Sequence, residues 1–224
     1  GNYNVVVGDE AGTAITTGDQ NVAVGYAALD ALTTNVRNTA VGYNALTAAT
    51  NDDNTAVGAQ ALEANTTGYY NVAMGYLAGA AITTGTSNVA IGTFALDANT
   101  TASNNTAVGN SALTANTTAA NNTAVGMNSL VANTTGDKNV AMGANALDAN
   151  TTGRLNTAIG QDSMSTNTTA DNNTAVGQGS LQLNTTGASN TAVGRRTLIE
   201  NTTGANNVAV GTNALDANTT AANN

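Results

Sequence analysis

Cysteine, histidine, proline and tryptophan are all missing from this 224-residue chain. Without cysteine there is no disulfide framework, and thiols say nothing about redox compartment. Without cysteine and histidine the usual ligand sets for zinc, copper and iron cannot be assembled. The commonest general base and the thiol nucleophile are missing too, so the chain is not expected to be an enzyme. Charge is scarce: Asp, Glu, Lys and Arg make up 8 % of the residues, against roughly a quarter in an average globular domain. Arg37, Lys138, Arg154, Arg195 and Arg196 are the only basic residues and the net charge is −9, which excludes a surface that tracks phosphates and hence a nucleic-acid partner. No apolar run approaches the ~20 residues of a membrane span, so membrane insertion is not expected, and no signal peptide opens the chain. The chain begins at Gly1 and ends on Asn224, which opens a further copy of the pattern described next. The expectation is therefore a segment of a longer fibre.

The chain repeats one line. Aligned on N-x-A-x-G, copies start at Asn4, Asn21, Asn38, Asn54, Asn71, Asn88, Asn105, Asn122, Asn139, Asn156, Asn173, Asn190 and Asn207. Every spacing is 17 residues except one of 16, where TAATNDD (47–53) is a residue short. Sustained periods of this length mean a solenoid whose units stack on their neighbours. Disorder would not hold aliphatic residues at fixed places. The reading is one repeat domain over 1–224 with no internal boundary, built from 13 coils.

With the leading Asn as position 1, positions 1 and 5 are Asn and Gly throughout, and position 3 is Ala except at Val6. Position 2 is Val or Thr, position 4 is Val, Ile or Met, position 8 is Ala, Ser or Thr, and position 9 is mostly Leu. Positions 6, 7, 10, 11, 16 and 17 vary freely and should face solvent. Positions 2–4 read as a short β-branched strand. Because both of its sides are restricted, the strand is expected to be covered on both faces, with the Ala side admitting another backbone. The Gly at position 5 ends it, by a positive φ or by close approach of a neighbour. Where Gly12 and Gly79 replace the position-9 Leu, Ile15 and Ile82 replace the usual Asn at position 12. The two positions therefore share one core volume, whose total is kept. Ile disfavours positive φ at position 12, so the Asn there is an inward amide able to form a ladder between coils ~4.8 Å apart. The position-1 asparagines named above are the principal candidates for such a structural ladder.

A three-sided β-helix of the hexapeptide kind would need an aliphatic about every six residues, and 17 is not a multiple of six. Each coil carries little apolar area to set against an ordering entropy of ~1–2 kcal/mol per residue. Association through the Ala-lined faces would supply the remainder, and a threefold axis suits it. The NTAVG and NVAIG strands, each followed by a small-residue turn and a Gly-containing return, resemble the head repeats of trimeric autotransporter adhesins (YadA-like heads). They are also similar to the repeat shafts of bacteriophage tail fibres and large bacterial surface proteins. The resemblance implies an all-β, left-handed parallel β-roll or β-solenoid, homotrimeric, and carries no catalytic residues.

Carboxylates are the remaining candidates for chemistry. Asp30, Glu63, Asp97, Asp148 and Asp216 occupy position 10, never in adjacent coils; this spacing avoids like-charge contact rather than pairing acids for catalysis. Asp9–Glu10 and Asp52–Asp53 are the only acidic doublets. A structural calcium is the single cofactor they leave open, though neither an EF-hand loop nor the calcium-binding nonapeptide occurs. Nine NTT and three NNT triplets fit the glycosylation sequon. Adjacent Thr pairs send their side chains to opposite faces, unlike the side-by-side Thr an ice-binding surface needs. Tyr26, Tyr43 and Tyr76 lie at position 6 and form a candidate surface-binding stripe. The expected function is the shaft of an extracellular fibre or adhesin, on a cell or virion surface, that spaces or displays an attachment tip. Its expected partners are further copies of itself, as a homotrimer or an end-to-end filament, and a host glycan or receptor met by a tip outside the segment. The competing reading is direct binding of glycan, host surface or ice through the repeated face.

Overall fold

The computed structural model describes residues 1–224, and it contains strands and turns but no helix. Thirteen three-residue strands occupy positions 2–4 of the successive copies: β1 (Val5–Val7), β2 (Val22–Val24), β3 (Thr39–Val41), β4 (Thr55–Val57), β5 (Val72–Met74), β6 (Val89–Ile91), β7 (Thr106–Val108), β8 (Thr123–Val125), β9 (Val140–Met142), β10 (Thr157–Ile159), β11 (Thr174–Val176), β12 (Thr191–Val193) and β13 (Val208–Val210). The chain is thus an all-β parallel solenoid, one strand per coil. It divides into two compact units, Gly1–Asn110 and Ser111–Asn224. Within the first, β1 to β7 pair in chain order, and within the second β8 to β13 do the same. Every pairing is parallel and joins like positions, such as Ala23 to Ala40 and Ala158 to Ala175. Parallel neighbours need a crossover, which is supplied here by the rest of each coil.

The turns explain how so short a coil closes. Positions 7, 9 and 17 adopt left-handed backbone, with φ between 50° and 62° for their non-glycine residues. The freely varied positions 7 and 17 are therefore corners; position 17 mostly faces solvent as expected, but position 7 is half-buried in most coils, as at Asn44 and Phe94, because the turn folds it back onto the stack. Asparagines such as Asn44, Asn128, Asn121 and Asn206 suit them, but Tyr70, Leu155 and Arg196 adopt the same conformation. Position 9 is the costlier case. Ten coils put a Leu there, at about 1–2 kcal/mol for left-handed backbone. Its burial, as at Leu147 with no exposed surface, returns about 1.5–3 kcal/mol. The Leu is the one large aliphatic inside most coils, and burial outweighs strain.

Position 5 is glycine for two reasons at once. Its φ runs from 125° to 141°, a region closed to L side chains. A Cβ there would also lie 2.4 to 2.7 Å from the carbonyl oxygen of the next coil's glycine, as at Gly58 and Gly143.

The strand is covered on one face only. Position 3 points inward, and Ala40, Ala107 and Ala175 have no exposed surface. Positions 2 and 4 point outward and stay half-buried or exposed, for instance Met142 and Ile159. The expectation of a strand covered on both faces is corrected here, as is association through an Ala-lined surface. The alanines lie in the coil interior, and the outward face of the strand is its Val, Thr, Ile and Met side. The exchange between positions 9 and 12 follows the expected geometry. A Cβ on Gly79 would meet Ile82 Cδ1 at 3.0 Å, and one on Gly12 would meet Ile15 Cδ1 at 2.8 Å. The isoleucine occupies the space that Leu fills in other coils.

Candidate functional site

The most regular polar construction is the asparagine column at position 1. Within each unit the backbone N–H of the Asn donates to the side-chain Oδ1 of the Asn one coil before, as from Asn21 to Asn4 (2.8 Å) and Asn88 to Asn71 (3.0 Å) in the first and Asn190 to Asn173 (2.9 Å) in the second. The Nδ2 of the same residue crosses its own coil to the position-15 carbonyl, for example Asn71 to Gly85 O at 2.9 Å and Asn139 to Gly153 O at 2.8 Å. A second column stands at position 12. Asn133, Asn150, Asn167, Asn184 and Asn201 each donate from Nδ2 to Oδ1 of the preceding Asn, at 2.8 to 3.1 Å. Each also donates to its own position-15 carbonyl, as Asn133 does to Gly136 O at 2.9 Å. One carbonyl oxygen thus accepts from both columns: Gly136 O takes Asn122 Nδ2 and Asn133 Nδ2, both at 2.9 Å. Two lone pairs receive two amides, and the coil is tied shut from both sides.

This arrangement explains the abundance of the NTT triplets. Most of their asparagines, among them Asn99, Asn150 and Asn201, have no exposed surface and donate to the position-15 carbonyl of the inner column; Asn65 is buried without such a partner. The NNT asparagines Asn104, Asn121 and Asn172 are exposed corner residues. The first Thr of each pair donates its hydroxyl to the next coil's backbone, as Thr83 Oγ1 does to Thr100 O at 3.1 Å and Thr151 Oγ1 to Thr168 O at 3.1 Å. The position-1 column was marked in the sequence by its invariance. The shared acceptor at position 15 was not, because a backbone carbonyl leaves no letter behind.

The carboxylates are dispersed, and no group of three or more acids comes together. Asp97 and Asp148 are half-buried, with an Oδ1 that has no hydrogen-bond partner. Burial raises the pKa of both above the ordinary carboxylate value, opposed by backbone N–H donors. Of the acidic doublets, Asp9 and Glu10 lie exposed on the first coil, where a hydrogen bond from Tyr26 to Glu10, and the carboxylate's charge, raise the Tyr26 phenol. Asp52 and Asp53 lie beside Arg37. Arg37 Nε and Nη2 reach Asp53 Oδ1 and Oδ2 at 2.6 and 2.8 Å, which lowers the Asp53 carboxyl. Arg154 and Asp137 form a similar pair in the second unit, and Asp137 is likewise lowered.

Tyr26, Tyr43 and Tyr76 are all exposed at the corner after the strand. Tyr26 and Tyr43 stack, with centroids 5.5 Å apart and planes at 14°. Ala59 occupies the same position in the next coil, so Tyr76 is not part of that stack. It packs edge to face with Phe94 at 5.6 Å. The three residues form a pair and a separate contact rather than a continuous stripe. Sequence reasoning passed over Tyr69 and Tyr70, which meet edge to face at 4.9 Å. They line a depression of about 280 Å³ together with Arg37, Asn51, Asp52 and Asp53. The signal was present in the letters, because the 16-residue repeat ends in that acidic doublet.

No family model, curated protein or solved structure matches the chain.

Proposed function

We propose that the chain is a structural shaft, a segment of an extracellular fibre or adhesin on a cell or virion surface, without enzymatic activity. It spaces or displays an attachment tip that meets a host glycan or receptor. In this reading the coils follow a left-handed path and three copies associate, with end-to-end contact extending the fibre. The observation that carries it is the coil-to-coil bonding: inside each unit every strand hydrogen-bonds its neighbours in register, and side-chain columns repeat the tie at the coil interior. Such construction suits a mechanical element, since polar ties along the stack resist extension and leave no hinge loop. The outward strand face supports association. Met74, Ile91, Met142 and Ile159 are 36 to 42 % exposed there, and covering such aliphatics between copies would remove apolar area from water.

Sedimentation velocity with electron microscopy tests the proposal. An elongated trimer is expected, and a compact monomer would overturn the assembly. Lysine substitution at Met142 and Ile159 should dissociate the trimer while the β circular-dichroism signal persists. The stacked pair Tyr26–Tyr43 favours a second reading, direct surface binding through the repeated face. Replacing Tyr26, Tyr43 and Tyr76 by Ser should then abolish retention on the target surface, whereas unchanged retention rejects this reading.

A further inference from the structure

We infer that the depression lined by Arg37, Asn51, Asp52, Asp53, Tyr69 and Tyr70 is a binding site for one neutral sugar ring. Three irregularities of the repeat meet there. The third coil is the one that is a residue short, lacking one of its two Thr between Thr50 and Asn51. Asp52 and Asp53 follow in the same coil, and Tyr69 and Tyr70 fill positions 16 and 17 of the next. Arg37, at position 17 of the coil before, completes the wall. This irregular corner borders an open depression.

The lining is held in place before any ligand arrives. Asp53 is fixed by its two-point pairing with Arg37. Asp52 Oδ1 accepts from Val36 N at 2.9 Å, and Asn51 Oδ1 accepts from Asp52 N at 2.9 Å. Asn51 Nδ2 donates to Thr67 O at 2.6 Å. The two tyrosine rings are 43 and 58 % exposed and nearly perpendicular, at 79°, so one offers a face where the other offers an edge. An aromatic face accepts the C–H side of a pyranose, while carboxylate and guanidinium groups take adjacent hydroxyls in pairs. Size and charge narrow the class. At about 280 Å³ the space lies just below the usual range of ligand pockets, about 300–1,000 Å³, which leaves room for no more than one small ring. Two carboxylates and one guanidinium line it, so an anionic sugar or phosphate meets a net negative wall. Arg37 is already paired with Asp53, which leaves the Asp52 carboxylate as an acceptor for hydroxyls and makes an organic cation the control to be tested. A neutral polyol with one apolar face fits the tyrosine face and the acceptor capacity left on Asp52.

Saturation-transfer NMR tests this on the whole chain with glucose, galactose, mannose and N-acetylglucosamine, and with tetramethylammonium and sulfate as controls. At least one sugar should give ring-proton signals. Tyr69→Ala and Tyr70→Ser should each weaken its binding about tenfold, the loss of roughly one stacking contact. Both changes are compatible with the fold, because Ala188 and Ser189 hold the same two positions in another coil. Inserting one Thr between Thr50 and Asn51 restores the regular corner and should abolish binding with the unfolding temperature retained. Absence of any sugar signal, sugar binding undiminished in the Tyr variants, or preferential binding of tetramethylammonium would each overturn the assignment. A monomeric protein that binds sugar would defeat the trimer and leave this site standing.

Discussion

Position 12 divides the molecule into two chemistries. In the first five coils the column reads Ile15, Leu32, Ala49, Asn65 and Ile82; in the following eight it is Asn in every coil, from Asn99 to Asn218. Leu32 and Ile82 have no exposed surface and close their coils by apolar contact. Asn150 and Asn184 are equally buried and close theirs through the amide column. The same backbone accepts either solution. A mixture leaves polar atoms without partners, as at Asn65. That residue stands between Ala49 and Ile82, with no amide on either side, and its Oδ1 and Nδ2 are buried without a partner. Asn65 makes neither the coil-to-coil bond nor the bond to its own coil's position-15 carbonyl that Asn150 and Asn184 make.

The comparison has an outer limit, because position 5 should be insensitive to it. Gly143→Ala and Gly75→Ala each place a Cβ about 2.6 Å from the next coil's backbone. Both should cost about 3 kcal/mol or more, through overlap and backbone strain together. Chemical denaturation of the two variants checks this, and a cheap substitution in either unit would mean the coils can separate. Leu147→Ala should follow, at about 2–5 kcal/mol for a large buried side chain removed. Next comes one substitution made in both regions. Asn150→Leu takes from Asn133 Oδ1 its Nδ2 donor and should destabilise by about 2 kcal/mol. Asn65→Leu removes two unpartnered polar atoms, in a coil adjoining none with Asn at position 12, and should stabilise by about 1–2 kcal/mol. Leu29 and Leu32 already coexist inside one coil, so the added side chain has a precedent. Opposite signs for these two variants in thermal unfolding are the sharpest test, and equal signs would erase the distinction between the regions.

The smallest effects concern pH, and here the two units should behave alike. Asp97 and Asp148 have pKa values raised by burial. Their contribution is full below the ordinary carboxylate value and is lost as pH rises through their raised values. Asp53 and Asp137 have pKa values lowered by Arg37 and Arg154. Their contribution is present above the ordinary value and is lost as pH falls through the lowered ones. At neutral pH, Asp97→Asn and Asp148→Asn should therefore raise the unfolding midpoint slightly, while Asp53→Asn and Asp137→Asn should leave it level or a little lower, as suits exposed pairs. Titrating the midpoint from about pH 3 to about pH 7 in all four variants checks the signs.

The coil period, the place of each strand and the parallel stacking could be read from the letters, because each rests on side-chain type recurring at a fixed interval. The joint occupancy of positions 9 and 12 was readable too, from the coupled change at Gly79 and Ile82. The facing of the strand was not. A small residue held constant reads equally well as a contact between chains or as packing across a thin coil, and Ala40 or Ala175 cannot tell the two apart by identity. The corners were hidden for another reason. Left-handed backbone normally announces itself by Gly or Asn, but here the stack imposes it on Leu, Tyr and Arg. The Tyr69–Tyr70 depression was half visible, since the short repeat stands in the letters while the corner it shares with the next coil arises only from the stacking.

The glycine column carries a consequence for how such a chain can change. Because each junction presents the same carbonyl and the same amide to whatever follows, a whole unit of seventeen letters can be duplicated or lost and the joint re-forms unaltered. The losses that matter are fractional ones. Gain or loss of whole units would change the number of coils in equal steps, whereas a slipped residue, as beside Asn51, makes one coil unlike its neighbours.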